Sequence, residues 1–109
     1  MWSQLRCFMK ITEVFKREFI VEELRSAEKE DVLMELSSVF PCENFHCDFE
    51  AMVKILMERE KLGSTGVGEN IAIPHGKIHG LDDLHISFGR SRKGVAFDAL
   101  DGKPVHLFF

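Results

Sequence analysis

The stretch from Gly63 to Gly80, GSTGVGENIAIPHGKIHG, decides how the rest of this chain is organised. Val67, Ile71 and Ile73 all lie at odd-numbered positions, which is the alternation of a strand. Pro74 favours an extended residue before it and lacks an N–H, so the strand is predicted to end there. His75 follows directly, and Gly76 lets the backbone turn or another molecule approach closely. The sequence therefore predicts an imidazole presented at the mouth of a strand.

Spacing alone leaves the role of this histidine open, because a histidine after a strand is most often a solvated loop residue. Metal binding is the other alternative. His75 and His79 are spaced HxxxH, and Cys42, His46 and Cys47 lie close together in PCENFHC. However, no CxxC pair accompanies them, and the proline and glycine around the first histidine oppose a helix. We predict ordinary loops and no metal.

Composition narrows the class of protein. The chain has 109 residues, 45% of them hydrophobic, which suits one domain with a real core. A net charge of −4 with dispersed basic residues disfavours nucleic-acid binding. No run is apolar enough for membrane insertion, and no signal peptide is apparent. Three cysteines without a secretion signal favour the cytoplasm. Residues 1–8 are predicted to be an extension before a domain spanning residues 9–109.

Two helices are predicted in the first half of the chain. After a short strand over Phe19–Leu24, Ser26 is the expected N-cap of a helix that Pro41 ends. A polar connection over residues 41–47 follows, and then a second helix from the cap Asp48 to Lys61, with Gly63 as its stop. Their apolar faces are expected to contain Val32, Leu33, Leu36, Val39 and Phe40 in the first helix and Phe49, Met52, Val53, Leu56 and Met57 in the second.

The second half reads as strands. Leu84–Ser91 alternates like a half-buried strand, and the basic cluster Arg90, Arg92 and Lys93 is predicted to lie in a turn. A short strand, VAFDA, is expected next, then a turn at Asp101-Gly102 and a strand over Pro104–Phe109. Two helices and four or five strands predict an α/β (α+β) sandwich, a mixed sheet flanked by helices.

The second helix closes in a charged cluster, Glu58–Lys61. A solvated face is the default interpretation of such a cluster. Arg59 nevertheless lies one turn from the end of the helix that leads into the Gly63–Gly68 loop, so its side chain is a candidate to point over the same surface as His75.

The run REKLGSTGVGENIAIPHG, together with the later DGKPV turn, resembles the active-site region of a known family. The family comprises the fructose-, mannitol- and nitrogen-related type 2 enzyme IIA domains of the bacterial phosphoenolpyruvate-dependent sugar phosphotransferase system. The likeness extends from about Lys10 to Phe109.

The resemblance implies that His75 accepts a phosphoryl group from a histidine-phosphorylated carrier protein and passes it to an enzyme IIB domain in sugar uptake. Arg59 then corresponds to the arginine near the phosphoryl group, and Glu69 to the acidic residue before the histidine strand. A guanidinium suits bidentate binding of phosphate oxygens, and a carboxylate can orient an imidazole. No nucleotide-binding loop is present, so no cofactor and no metal are expected.

Domains of this family continue past the point where this sequence stops, and many have a second active-site histidine there. The fragment is therefore expected to be incomplete at its C-terminus, with an apolar sheet edge at Val105–Phe109 through which it forms a homodimer. The resemblance also leaves two alternative functions: a regulatory module whose His75 phosphorylation controls binding to a transcription factor or transporter, and an inert relative that keeps the fold.

Overall fold

The computed structural model describes residues 15–41, 48–78 and 84–109. Within these ranges the chain forms two helices and five strands. In chain order they are β1 (Phe15–Val21), α1 (Lys29–Ser37), α2 (Phe49–Leu62), β2 (Gly66–Gly68), β3 (Ile71–Ala72), β4 (Ile86–Val95) and β5 (Val105–Phe108). The predicted extension over residues 1–8, the cysteines and histidine of PCENFHC, and His79 lie outside the described residues.

The five strands form one mixed sheet in the order β1-β4-β5-β3-β2. The pairs β1–β4 and β3–β5 are parallel, whereas β4–β5 and β2–β3 are antiparallel. Helix α1 packs against α2, β4 and β1. The predicted α/β class with a mixed sheet and helices is confirmed.

The hydrophobic core lies between α1, the sheet and the loop that follows β4. Its buried members are all small or apolar: Leu24, Val32, Leu33, Leu36, Ala72, Val95, Phe97, Ala99, Val105 and Phe108. The rings of Phe97 and Phe108 pack edge to face at 5.3 Å between centroids, a favourable aromatic geometry. This core fixes β3 and β5 beside each other, and thereby the strand that leads to His75.

Helix α2 has the predicted caps and ends at Leu62, one residue later than predicted. The Asp48 side chain accepts a hydrogen bond from the Ala51 N–H at 2.6 Å, so it is the N-cap. At the other end Gly63 is the C-cap, with a φ of 157°. Met52 and Val53 are buried as predicted, and Glu60 is buried with them. The solvated face expected for the charged cluster is therefore wrong for Glu60.

Helix α1 begins later than predicted. Its N-cap is Glu28, whose side chain makes no capping bond, and Ser26 has another role. The Glu35 carboxylate accepts the backbone N–H groups of Arg25 (3.1 Å) and Ser26 (2.8 Å). Glu35 thus ties the segment before the helix to the last turn of the helix, and this pairing takes the place of a serine cap.

Replacing Glu35 with glutamine is expected to make the protein less stable in a pH-dependent way. Partial burial raises the pKa of Glu35, but hydrogen bonds from the Ser26 side chain and the Arg25 and Ser26 backbone outweigh it and lower the pKa below 4.5. The unfolded chain therefore binds this proton more tightly, so the stabilisation is present above pH 4.5 and is lost as pH falls through the lower folded-state value. In urea denaturation near pH 7 the free energy of unfolding of Glu35→Gln should be lower than that of the parent by about 1 kcal/mol.

The difference between the parent and Glu35→Gln should shrink as pH falls below 4.5, because a protonated carboxyl resembles an amide. Glu30→Gln, on an exposed residue in the first turn of α1, is the control for removing one negative charge from the same helix. A pH-independent difference for Glu35→Gln would contradict the assignment.

Strand β5 does not lie at a sheet edge, contrary to the expectation on which a homodimer was based. It pairs with β4 on one side and β3 on the other, and both Val105 and Phe108 are fully buried. Within the described sheet the outer strands are β1 and β2. The two-residue strand β3 pairs with the side of β5 that the sequence left open, while Phe109, after the end of β5, stays 42% exposed.

Strand β4 is longer than predicted and includes the basic cluster assigned to a turn. Arg90 Nε donates to the Glu22 carbonyl at 3.2 Å, and the Arg92 side chain pairs with Glu23 at 3.3 Å. These partners lie just after β1, so tertiary pairing keeps the charged residues extended. The separate VAFDA strand is wrong, since only Val95 belongs to a strand. Strand β1 likewise begins and ends earlier than predicted, at Phe15 and Val21.

Candidate functional site

The Gly63–Gly80 stretch forms a tight hairpin and then the histidine loop. The single alternating strand predicted up to Ile73 is wrong, because β2 and β3 pair with each other as an antiparallel hairpin. Glu69 and Asn70 at its turn both have positive φ, 57° and 65°, as a two-residue type I′ turn requires. The turn is held from outside: the Asp101 carboxylate accepts the Glu69 N–H at 3.1 Å.

Asp101 also accepts the Lys103 N–H at 3.1 Å and thus forms the predicted Asp101-Gly102 turn. The Lys103 N–H, with a further contribution from that of Glu69, lowers the pKa of Asp101 below its usual value. Asn70 Nδ2 donates to the Pro104 carbonyl at 2.8 Å. The hairpin and the turn before β5 are therefore built as one unit.

His75 lies where the sequence predicted it, exposed and just after β3. Its Nδ1 atom is 2.9 Å from the carbonyl oxygen of Ile73. Because a carbonyl oxygen only accepts hydrogen bonds, this contact requires the proton on Nδ1. The other ring nitrogen, Nε2, then carries the lone pair. The contact thus holds the ring in one tautomer and leaves Nε2, the nitrogen with the lone pair, free of that bond.

A cleft of about 560 Å³ opens beside this histidine, lined mostly by apolar side chains that come from both helices, the histidine loop and the start of β4. His75, Gly76 and Lys77 form part of one wall, and His85 lies on another. His85 is half-buried and packs edge to face with Phe40 at 6.4 Å. Sequence reasoning did not place Lys77 or His85 at the site, since neither belongs to a recognisable spacing pattern.

The other two predicted site residues do not line this cleft. Arg59 Nη1 donates to the Gly63 carbonyl at 2.9 Å, so its guanidinium closes the end of α2. Glu69 is exposed at the hairpin turn. Arg59 and Glu69 thus lie on α2 and on the β2–β3 hairpin turn, the elements that border the histidine loop. Neither residue lines the cleft beside His75.

Glu60 and Lys29 form a buried ion pair beneath the Gly63–Gly68 loop. The Glu60 carboxylate, whose side chain is 2% exposed, lies 3.3 Å from Lys29 Nζ and accepts hydrogen bonds from Thr65. One signal in the sequence points to this burial: Glu60 continues the apolar stripe of α2, seven residues after Val53 and four after Leu56.

The described part of the chain contains neither a cluster of metal-ligating side chains nor a helix that could span a membrane. No cluster of three or more histidine, cysteine, aspartate or glutamate residues there could hold a metal ion. None of the helices found in those ranges has the length and apolar character needed to cross a membrane.

An exposed, tautomer-fixed histidine on a mixed α/β domain is the kind of site found in group-transfer carriers. The sequence model of the family described as phosphoenolpyruvate-dependent sugar phosphotransferase system, EIIA 2, matches residues 13–109. The chain therefore belongs to this family.

Curated relatives agree with this assignment. The chain is 42% identical over 101 residues to the fructose-specific EIIABC component of Bacillus subtilis, which covers 93% of this chain and 16% of that protein. It is 37% identical over 101 residues to a nitrogen regulatory protein of Bradyrhizobium diazoefficiens, covering 93% of this chain and 65% of the relative. The chain thus spans less than two thirds of the length of these relatives.

Solved structures share the fold. The nitrogen regulatory protein IIA-Ntr of Neisseria meningitidis superposes with a TM-score of 0.84 at 37% identity, over 91% of this chain and 67% of that one. A complex of enzyme IIAMTL with phosphorylated enzyme IIBMTL from Escherichia coli gives a TM-score of 0.69 at 25% identity, over 86% and 67% of the two chains.

Proposed function

We propose that this domain is a phosphoryl carrier in which Nε2 of His75 accepts a phosphoryl group from a histidine-phosphorylated carrier protein. The observation that carries the proposal is the Nδ1 contact with the Ile73 carbonyl at 2.9 Å on an exposed ring. Nucleophilic catalysis needs a neutral imidazole with one nitrogen fixed and the other accessible. Family membership supplies the reaction class.

In the proposed phosphoryl transfer each bond that forms is matched by a bond that breaks, and no metal or nucleotide takes part. The Nε2 lone pair of His75 attacks phosphorus, and the P–N bond to the carrier's histidine breaks with its electron pair returning to that ring. The product ring keeps its Nδ1 proton and gains positive charge, which the Ile73 carbonyl dipole stabilises. In the second step a cysteine thiolate of an enzyme IIB domain attacks the same phosphorus, and the electron pair returns to Nε2.

Arg59 and Glu69 have supporting roles in this proposal. The transferred group carries negative charge, so catalysis depends on positioning and electrostatic stabilisation. Arg59 supplies a guanidinium to phosphate oxygens when the partner docks, exchanging its bond to the Gly63 carbonyl. Glu69, whose backbone has a positive φ in the hairpin turn, helps to orient the His75 imidazole. The compartment required is the cytoplasm, where phosphoenolpyruvate is produced.

The direct test is phosphate incorporation. The chain is mixed with phosphoenolpyruvate, enzyme I and the phosphocarrier protein, and its intact mass is measured before and after acid treatment. We expect one acid-labile phosphate, and phosphorus–nitrogen coupling in NMR spectra should assign it to Nε2 of residue 75. Absence of phosphate on the folded chain, or phosphate on Nδ1, would contradict the proposal.

A regulatory role is the second candidate, favoured by the similarity to nitrogen regulatory proteins. In this alternative the same phosphorylation of His75 changes the affinity for a regulator or transporter. Transfer onward to an enzyme IIB cysteine distinguishes the two: rapid loss of phosphate to IIB supports sugar uptake. Stable phosphate in its presence supports regulation.

A further inference from the structure

We propose that Glu60, a buried carboxylate outside the cleft, is the positioning residue that holds His75 in its reactive tautomer. This inference rests on the proposed function of His75 and adds a residue to it. The connection runs through two backbone groups, those of Thr65 and Ile73, and each link is a hydrogen bond in the structure.

The first link joins α2 to the loop that follows it. Both carboxylate oxygens of Glu60 lie 3.2 Å from the Thr65 N–H, and the Thr65 hydroxyl donates to the same carboxylate. Thr65 is 4% exposed, so these bonds are shielded from water. Hydrogen bonds to an ionised group are stronger than neutral ones and hold their donors more firmly. Glu60 therefore fixes the backbone position of Thr65.

The next links pass this position to the ring. The Thr65 carbonyl accepts the Ile73 N–H at 3.0 Å, and the Ile73 carbonyl faces Nδ1 of His75 at 2.9 Å. Ile73 lies outside β3, whose last residue is Ala72, so the regular ladder ends before this peptide. Its bond to Thr65 is what sets the direction of the carbonyl that selects the tautomer.

Lys29 is the cation paired with Glu60. The ammonium lies 3.3 Å from the carboxylate and 4.6 Å from the centroid of the Phe97 ring. It also lies 3.4 Å from Asp98, whose side chain is 87% exposed. A buried carboxylate without a cation would be costly, so this pairing lets an ionised acceptor exist beneath the loop.

The ion pair between Lys29 and Glu60 does more than hold α1 against α2. An apolar pair of similar size would join α1 to α2 at least as well, because desolvation cancels much of the gain from a buried ion pair. What an apolar pair cannot do is accept the Thr65 N–H and hydroxyl together. The position of the carboxylate is explained by the loop that it orients.

The test compares Glu60→Gln with Asp98→Asn. Glutamine keeps the size of the side chain but loses the charge and the second acceptor oxygen. Asp98→Asn also removes one negative partner of Lys29, at an exposed site, and asparagine tolerates the positive φ of 55° there. The readouts are the ¹⁵N shifts of the His75 ring, which report the tautomer, and the initial rate of phosphoryl acceptance.

For Glu60→Gln we expect ring shifts that move toward a tautomer mixture and a rate about tenfold lower, as for other residues that orient a reacting ligand. Asp98→Asn should match the parent in both readouts. If Glu60→Gln fails to fold, Glu60→Asp decides, because it keeps the charge but shortens the side chain and draws the carboxylate away from the Thr65 N–H, so it should move the ring shifts in the same direction. Parent-like ring shifts in a folded Glu60→Gln, or in Glu60→Asp where that variant decides, would overturn the proposal. The tautomer measurement needs no phosphoryl donor, so it separates this proposal from the proposed function.

Discussion

Replacement of His75 by alanine is expected to abolish phosphate incorporation, with a loss of more than about a thousandfold in rate. The reason is that the variant lacks the nitrogen that we propose forms the covalent intermediate, and no positioning effect replaces a missing nucleophile. Stability should change little, by about 0.5 kcal/mol, because the side chain is exposed and makes one hydrogen bond to the backbone. Intact mass spectrometry after incubation with the phosphoryl donor measures the effect.

His85→Ala is the matched control, since His85 is a second imidazole that lines the same cleft. It follows no proline-terminated strand and packs on Phe40, so we expect the variant to take up one phosphate like the parent. Phosphate on His75→Ala together with its absence on His85→Ala would mean that the nucleophile is the other histidine of the cleft. Loss in both variants would point to a cleft in which neither ring works alone.

The position of His75 could be predicted because its determinants are local. A proline at position 74 disfavours further strand pairing in any fold. In the structure β3 ends two residues before it, at Ala72, and the His75 ring is exposed. Helix α2 was equally predictable, since a capping aspartate and a terminal glycine act within one turn of the chain. Such features depend on neighbours in sequence and therefore survive in any fold.

The hairpin over Gly66–Ala72 could not be read from the sequence. Its turn contains Glu69, which rarely adopts a positive φ, and no Asn-Gly or Asp-Gly pair marks it. The Asp101 carboxylate, thirty-two residues away, holds the Glu69 N–H and thereby the turn. This contact also gives Glu69 a structural reason for its place in the stretch, in addition to the role that the family resemblance suggests.

Strand β4 and Glu60 were missed for a related reason. Charged residues at Arg90 and Arg92 favour a turn by composition, yet their partners just after β1 keep them in the sheet. Glu60 was assigned to solvent by its charge, although its spacing placed it on the apolar stripe. In both cases the compensating partner is distant in sequence, so single-residue preferences gave the wrong environment.

The second large effect is expected from a methyl group added beside the proposed nucleophile, His75. In Gly76→Ala the new Cβ would lie 2.7 Å from Cγ2 of Ile55 on α2. Ile55 is β-branched and has little rotamer freedom in a helix, so the loop must move instead. A displacement of about 1 Å in a reacting group can cost about a hundredfold, and we expect that loss in the rate of phosphoryl acceptance. Overpacking should also lower stability by about 1–3 kcal/mol.

Changes at Ile55 separate this steric cause from any other effect of the alanine. Ile55→Ala removes Cγ2, so the double variant Gly76→Ala/Ile55→Ala should recover most of the lost rate. Ile55→Val keeps both γ carbons and should not rescue. Rates and urea stabilities of the single and double variants form a thermodynamic cycle whose coupling should be large only for alanine. Equal rescue by valine, or a Gly76→Ala variant as fast as the parent, would show that close contact with α2 does not position His75.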